Sequence, residues 1–325
     1  MYKKLVAIAF VFIACIDFDI DAPYDDINGV ILEHIRSYDF PGKKIVIDNE
    51  KGYIVRRDDT DIVCYDLTDV YNIDTFSVYR SVYTKPDFTI ANGYAYIVSQ
   101  NFGLEIVNFN QTTPQLTGFL PISGDVYSII LSDDRAFVAA ETKLYSIDVS
   151  DVTNPVHITE YTFNDSIINA QIVSDTLYIL LDGGILQIID IAAPTDPQLI
   201  AQHNLSDSLD QAYDFVKYNT YLYVTKGYGI DAYALQENGN VEYLNTLSFS
   251  HGITFLQTFE NFGICLYDGY SFNRLYILNL TYPSRPCIGE YLDLEGRPSC
   301  AVINNQYIYL LLSPSLNIYE IEEIE

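Results

Sequence analysis

The chain has no tryptophan, a single methionine, and only 17 lysines and arginines against 44 aspartates and glutamates. The shortage of base leaves a net charge of −27. That excludes binding to nucleic acid or anionic lipid through the folded surface, because both are polyanions. Five cysteines occur without any Cys-x-x-Cys spacing, which excludes a zinc ribbon or a thioredoxin-type motif. The histidines are His34, His157, His203 and His251. They form no tight metal spacing, and there is no Gly-x-Ser-x-Gly elbow. No metal or cofactor is therefore expected. No segment keeps a 3.6-residue apolar period, so almost no helix is expected. What remains is 49% hydrophobic and 19% charged over 325 residues, enough to bury a core and too apolar for a disordered chain.

The first residues read as an address. Lys3 and Lys4 precede the apolar run 5–15, which is shorter than the roughly 20 residues a membrane span needs and fits the h-region of a secretory signal. Phe12-Ile13-Ala14-Cys15 resembles the lipobox of bacterial lipoproteins. That resemblance implies removal of residues 1–14, acylation of Cys15, and residence at the bacterial cell envelope with membrane contact only through the lipid. Residues 16–28, IDFDIDAPYDDIN, alternate Asp17, Asp19 and Asp21. A calcium loop of the EF-hand kind would need Gly at 22 and Glu at 28, where Ala22 and Asn28 stand. Residues 15–28 are read instead as an acidic, solvated tether.

From residue 29 onward the chain is a repeat. Its anchors are Tyr53, Tyr96, Phe137, Tyr178, Tyr223, Cys265 and Tyr309, spaced 43, 41, 41, 45, 42 and 44 residues apart. Four residues before them stand Asn49, Asn92, Asp133, Ser174, Asn219, Asn261 and Asn305, the chemistry of a hairpin turn. Asp66, Asn108, Asp148, Asp190 and Asn279 recur near the end of a third strand, with Ala234 and Glu320 in the two remaining units. Pro114, Pro155, Pro197 and Pro286 follow in the connector to an outer strand, where a missing donor does no harm. Gly103, Gly184 and Gly229 precede the third strand, where a tight turn with positive φ is expected. Seven units of four short strands predict a seven-bladed β-propeller over residues 29–325. Unit seven supplies only three strands before Glu325, so residues 29–37, GVILEHIRS, are expected to form the outermost strand of the last blade and close the ring.

The lack of tryptophan separates this chain from WD40, Asp-box and quinoprotein propellers, whose repeats rest on that residue. GYAYIVSQNFGLEIVNF (93–109), TLYILLDGGILQIIDIAAPTDP (176–197) and RLYILNLTYPSRP (274–286) instead resemble the LVIVD repeat family of bacterial and archaeal surface proteins. The resemblance implies an exported propeller at the cell envelope and implies no reaction.

Candidate site residues are few. Gly227–Ala232 matches Gly-x-Gly-x-x-Ala, but the turn runs into a strand, not the helix a dinucleotide site requires. Cys64, Cys265, Cys287 and Cys300 fall in different strands and are expected as buried thiols. Nine residues before the anchors, at the start of the innermost strand, a column reads Lys44, Asp87, Ser128, Asn169, Asp214, Leu256 and Cys300. Its first five members are polar and face the channel mouth: they are either a ligand site or the lining of a wet channel. Tyr71, Tyr83, Tyr228, Tyr270 and Tyr282 fall in connectors and are candidate contacts for protein or glycan. The leading expectation is a non-catalytic binding or interaction module. The alternative is an envelope hydrolase or lyase acting on carbohydrate or peptide, with Asp87 and Asp214 as acid and base. Those two lie three blades apart, which disfavours the carboxylate separation of roughly 5–10 Å that glycoside hydrolysis requires.

Overall fold

Each unit opens with a hairpin whose first turn residue adopts a left-handed backbone: Asn49, Asn92, Asp133, Ser174, Asn219, Glu260 and Asn305, at φ between 48° and 55°. At the far end of the third strand the Asx residues turn the chain. Asp66, Asn108, Asp148, Asp190 and Asn279 each accept, through Oδ1, the N–H two residues ahead. The apolar residue after that position donates its N–H back to the hairpin turn in all seven units, from Leu67 to Glu50 through Ile321 to Gln306. This bond survives in the two units that lack an Asx, so a backbone closure sets the unit's length and the side chain reinforces it.

The computed structural model describes residues 30–56, 61–80, 84, 87–193, 195–206, 211–227, 229–249, 252–253, 255–269 and 272–323. Among them lie seven four-stranded antiparallel sheets and one three-residue 3-10 turn, Asp182–Gly184. Blades 1 to 6 span 44–80, 87–121, 126–162, 167–204, 212–248 and 255–294. Blade 7 joins Pro298–Asn304, Tyr307–Leu312 and Leu316–Glu323 to the N-terminal strand Val30–Tyr38. The innermost strands touch in sequence around the ring, and Lys44–Asp48 of blade 1 meets Pro298–Asn304 of blade 7. The chain is therefore a closed seven-bladed β-propeller, fastened by its own N-terminal strand.

The hydrophobic core is seven cores, one in each gap between neighbouring blades. Between blades 1 and 2, Tyr53, Ile62 and Cys64 pack on Phe88, Ile97 and Phe109, and the equivalent residues repeat this around the ring. In every blade the outermost strand carries one extra residue at the same register: Phe76, Thr117, Ile158, Ile200, Leu244, Gly289 and, in the ring-closing strand, Ile35. A bulge there raises the local twist and disrupts an edge that would otherwise invite another strand.

Blade 6 corrects the sequence alignment by one residue. The left-handed residue is Glu260, not Asn261, and Phe259 pairs with Phe262 across the turn. Ile264, not Cys265, then occupies the anchor position, facing blade 7 as every other anchor faces its following blade. Cys265 points the opposite way, into the core shared with blade 5. The strand pleat alternates faces, so a slip of one residue reverses every side chain. The polar Asn261 beside Glu260 made the wrong turn residue the more attractive one. Gly103 and Gly184 have positive φ as expected; a Cβ at Gly229 would lie 2.8 Å from the Leu247 carbonyl oxygen, so close backbone approach also calls for glycine there.

Candidate functional site

The inner-strand column lies at the axis, near the face that carries the turns between second and third strands. In blades 3, 4, 5 and 7 a bulge at Tyr127, Ile168, Tyr213 or Ser299 comes immediately before the column residue. The bulge re-aims the side chain across the gap to the next blade. In register the column reads Lys44, Asp87, Ser128, Asn169, Asp214, Phe255 and Cys300; the alignment shift replaces Leu256 by Phe255.

The structure brings these residues into a belt between blades. Lys44 of blade 1 donates to the Asp87 carboxylate of blade 2 in an ion pair. Asp87 also accepts the N–H groups of Phe88 at 2.9 Å and, in blade 3, Ile129 at 3.0 Å. Asn169 of blade 4 donates its amide to the Asp214 carboxylate and to the Phe215 carbonyl of blade 5, and holds the Ala170 N–H at 2.7 Å. Asp214 accepts the Phe215 N–H at 2.8 Å and the Leu256 N–H of blade 6. The Cys300 thiol of blade 7 accepts the Ile45 N–H of blade 1. Ser128 makes none of these bonds; at its junction Tyr127 spans the gap, donating its hydroxyl to the Ile167 carbonyl of blade 4 at 3.0 Å. The column thus serves a purpose absent from the sequence reading: most of its members join one blade to the next.

Sequence reasoning missed a second polar position. In the third strand, opposite the residue after each anchor, stand Glu105, Gln187, Asp231 and Asn317 in blades 2, 4, 5 and 7. Glu105, 2% exposed, accepts the Ser99 hydroxyl and, from blade 1, the Tyr79 hydroxyl at 3.1 Å. Asp231 accepts Lys226 at 2.6 Å, Tyr233 at 3.0 Å and Thr246 at 2.5 Å. Asn317 binds Ser37 of the ring-closing strand and Ser315. The available signal was a single polar residue between apolar neighbours, as in Leu104-Glu105-Ile106 and Leu186-Gln187-Ile188.

Burial decides the electrostatics. It pushes the Asp214 carboxyl up from 3.8 to about 6, against the three hydrogen bonds that favour the charged form. It also pushes the Cys64 thiol up to about 11 and raises Cys300, which leaves both as protonated packing groups. Cys64, Cys265 and Cys300 are buried, and Cys287 is half-buried on the outermost strand of blade 6. Among the described residues no group of three or more His, Cys, Asp or Glu is arranged to hold a metal ion.

Of the connector tyrosines, Tyr71 and Tyr282 are 55% and 54% exposed, both between third and outermost strands and therefore on the same face of the ring. Tyr83, Tyr228 and Tyr270, and the lipidation candidate Cys15, lie outside the described residues.

Comparison with known proteins agrees with this architecture. The LVIVD repeat family matches residues 86–118, 123–162 and 174–204, which are blades 2, 3 and 4. The fold resembles that of a protein from Lactobacillus plantarum (13% identity, 77% of this chain and 84% of that one, TM-score 0.67). It also resembles BamB from Moraxella catarrhalis (10% identity, 89% and 100%, TM-score 0.60). A third likeness is to the β-propeller domain of Cps50 (Swd1) from Myceliophteria thermophila (11% identity, 90% and 100%, TM-score 0.70). No curated protein matches the sequence.

Proposed function

We propose that this protein is a non-catalytic binding module, held at the bacterial cell envelope through lipid on Cys15, which presents one face of a rigid propeller to a protein or glycan partner. The observation that carries the reading is how the axial polar groups are used. Asp87 and Asp214, the two acids nominated for acid–base chemistry, each accept hydrogen bonds from neighbouring blades. The exposed rings of Tyr71 and Tyr282 stand on connectors outside that framework, and tyrosine gives large contact area at little cost in conformational freedom. The likeness to other propellers is consistent with an interaction role.

The test has two arms. Cys15→Ser, expressed in a bacterium that processes lipoproteins, should leave the membrane fraction or remain unprocessed; unchanged partition refutes the anchor. A photo-crosslinking residue placed at Tyr71 or Tyr282 of the full chain should give discrete adducts that excess purified propeller competes away. Adducts equal to those from a probe at the rim residue Leu199, or turnover of envelope glycan or peptide by the purified chain, refute the module.

A further inference from the structure

Blade 6 carries a second polar cluster, away from the axis. Arg274 and Tyr276 alternate along its third strand, and Asp293 and Tyr291 stand directly opposite them on the outermost strand. All four side chains therefore share one face of the sheet. That face looks toward blade 5, where buried Tyr276 meets the Phe249 ring at 5.0 Å. Arg274 Nε and Nη2 both donate to Asp293 Oδ1, at 2.7 and 2.6 Å. The guanidinium also lies 4.1 Å from the centre of the Tyr291 ring and 5.0 Å from that of Phe272. Arg274 is thus clamped, and its side chain is only 23% exposed. Two groups of the cluster stay open. Tyr291 is 50% exposed although Arg274 covers one face, so the opposite face of its ring meets water. The Asp293 side chain is 65% exposed, and both bonds from Arg274 fall on Oδ1, which leaves Oδ2 to solvent. Blades 1 and 3 hold their outermost strands by similar pairs, Arg80 with Asp61 and Lys143 with Glu160. Surface pairs of this kind add little stability. On blade 6 the pair also lies beneath an aromatic ring and fixes how that ring is presented.

We propose that Arg274, Tyr291 and Asp293 form a subsite for an uncharged pyranose of a glycan, separate from the Tyr71 and Tyr282 surface. It opens toward the turns between second and third strands, on the other face of the ring. The C–H face of the sugar packs on the open face of Tyr291, as amphipathic rings do. One hydroxyl donates to Asp293 Oδ2. Its neighbour accepts from Arg274 Nη1, whose bond to the Tyr276 hydroxyl is long at 3.4 Å. Three features select this ligand. The ion pair cancels its own charge, so the subsite is neutral, while the chain around it is acidic, at −27 overall, and disfavours phosphorylated or uronic sugars. An aliphatic side chain of a protein partner would cover the ring but leave Asp293 Oδ2 desolvated without a donor, which a hydroxyl avoids. The side chains already hold one another in place, so binding immobilises little.

Binding of the full chain to an array of neutral oligosaccharides (maltohexaose, cellohexaose and chitohexaose among them), with hyaluronan and heparin fragments as acidic counterparts, tests it. Calorimetry then follows the strongest neutral ligand. The native chain should bind neutral sugars in preference to acidic ones. Tyr291→Ala and Asp293→Ala should each weaken that binding at least about tenfold, the loss expected for a central contact. Tyr291→Phe keeps the ring and should retain most of the affinity, which separates loss of the platform from misfolding. Tyr282→Ala should change nothing. Absence of binding to any neutral sugar on the array, a preference for the acidic fragments, or unchanged affinity in Tyr291→Ala overturns the inference. Loss in Tyr282→Ala with none in Tyr291→Ala also overturns it, and moves the glycan to the opposite face.

Discussion

The ring has one seam, and Tyr38 spans it. Tyr38 ends the ring-closing strand of blade 7, and its hydroxyl donates to the Val70 carbonyl at 2.8 Å and accepts the Ile73 N–H at 3.2 Å, both in the blade 1 connector. Its ring stacks on Phe40 at 5.2 Å, and Phe40 in turn stacks on Tyr65 of blade 1 at 4.2 Å. Tyr38→Phe keeps the stack and leaves one carbonyl and one N–H without partners. An unsatisfied group costs about 1–3 kcal/mol when fully buried. Tyr38 is half-buried, so water recovers part of each bond and the expected loss is about 1–2 kcal/mol. Tyr38→Ala also removes the stack and should cost about 3 kcal/mol, the low end for truncating a large aromatic. The assay is equilibrium unfolding in urea, with the midpoint compared at constant slope so that a change reflects stability. Tyr282→Phe, on an exposed ring, is the control and should leave the midpoint unchanged. A Tyr38→Phe midpoint within about 0.5 kcal/mol of native, or equal to the control, would refute the claim that this hydroxyl fastens the seam.

Two further outcomes follow from the same geometry. Deleting residues 30–38 uncovers the whole Leu316–Glu323 edge, which pairs with that strand from Val30↔Glu323 to Tyr38↔Leu316; the chain should lose cooperative unfolding and aggregate, whereas deleting residues 17–27 should leave the unfolding midpoint unchanged. Glu260→Asn should raise stability by about 0.5 kcal/mol, because Glu260 holds a left-handed φ of 48° that asparagine adopts more readily; a lower unfolding midpoint would show that the glutamate side chain matters there.

The architecture was legible because turns are local. Asx residues at the hairpins, proline before the outer strands and a constant spacing of aromatic anchors each report a few consecutive residues, and six of seven units align on them in the structure. Blade 6 slipped because two adjacent residues, Glu260 and Asn261, both suit a turn. The belt was half legible. Its polar members stand out against apolar neighbours, but their partners are backbone atoms a full repeat away, as with Asp87 and Ile129. No local pattern encodes a bond to the main chain of the next blade. The outer bulges were hidden for the same reason: they appear only once two strands are placed side by side.

The parts that repeat and the parts that vary divide the work of the fold. The backbone closure at the hairpin, the outer bulge and the inter-blade core recur in every blade, and they require only apolar or turn-forming residues. They hold the ring but cannot distinguish one junction from another. The column and the third-strand polar position differ from blade to blade: an ion pair at one junction, an amide at another, a thiol at a third, and Glu105 or Asp231 buried behind them. Each buried polar group requires a particular partner, and a wrong neighbour would leave it unsatisfied at a cost of about 1–3 kcal/mol. Short connectors, such as residues 122–125 and 163–166, already fix the order of the blades, so groups that match only their own neighbour penalise wrong registers between adjacent blades. The ring-closing strand obeys the same rule, since Tyr38 meets Val70 only when the last blade lies beside the first, and Ser37 meets Asn317 in the register of that strand.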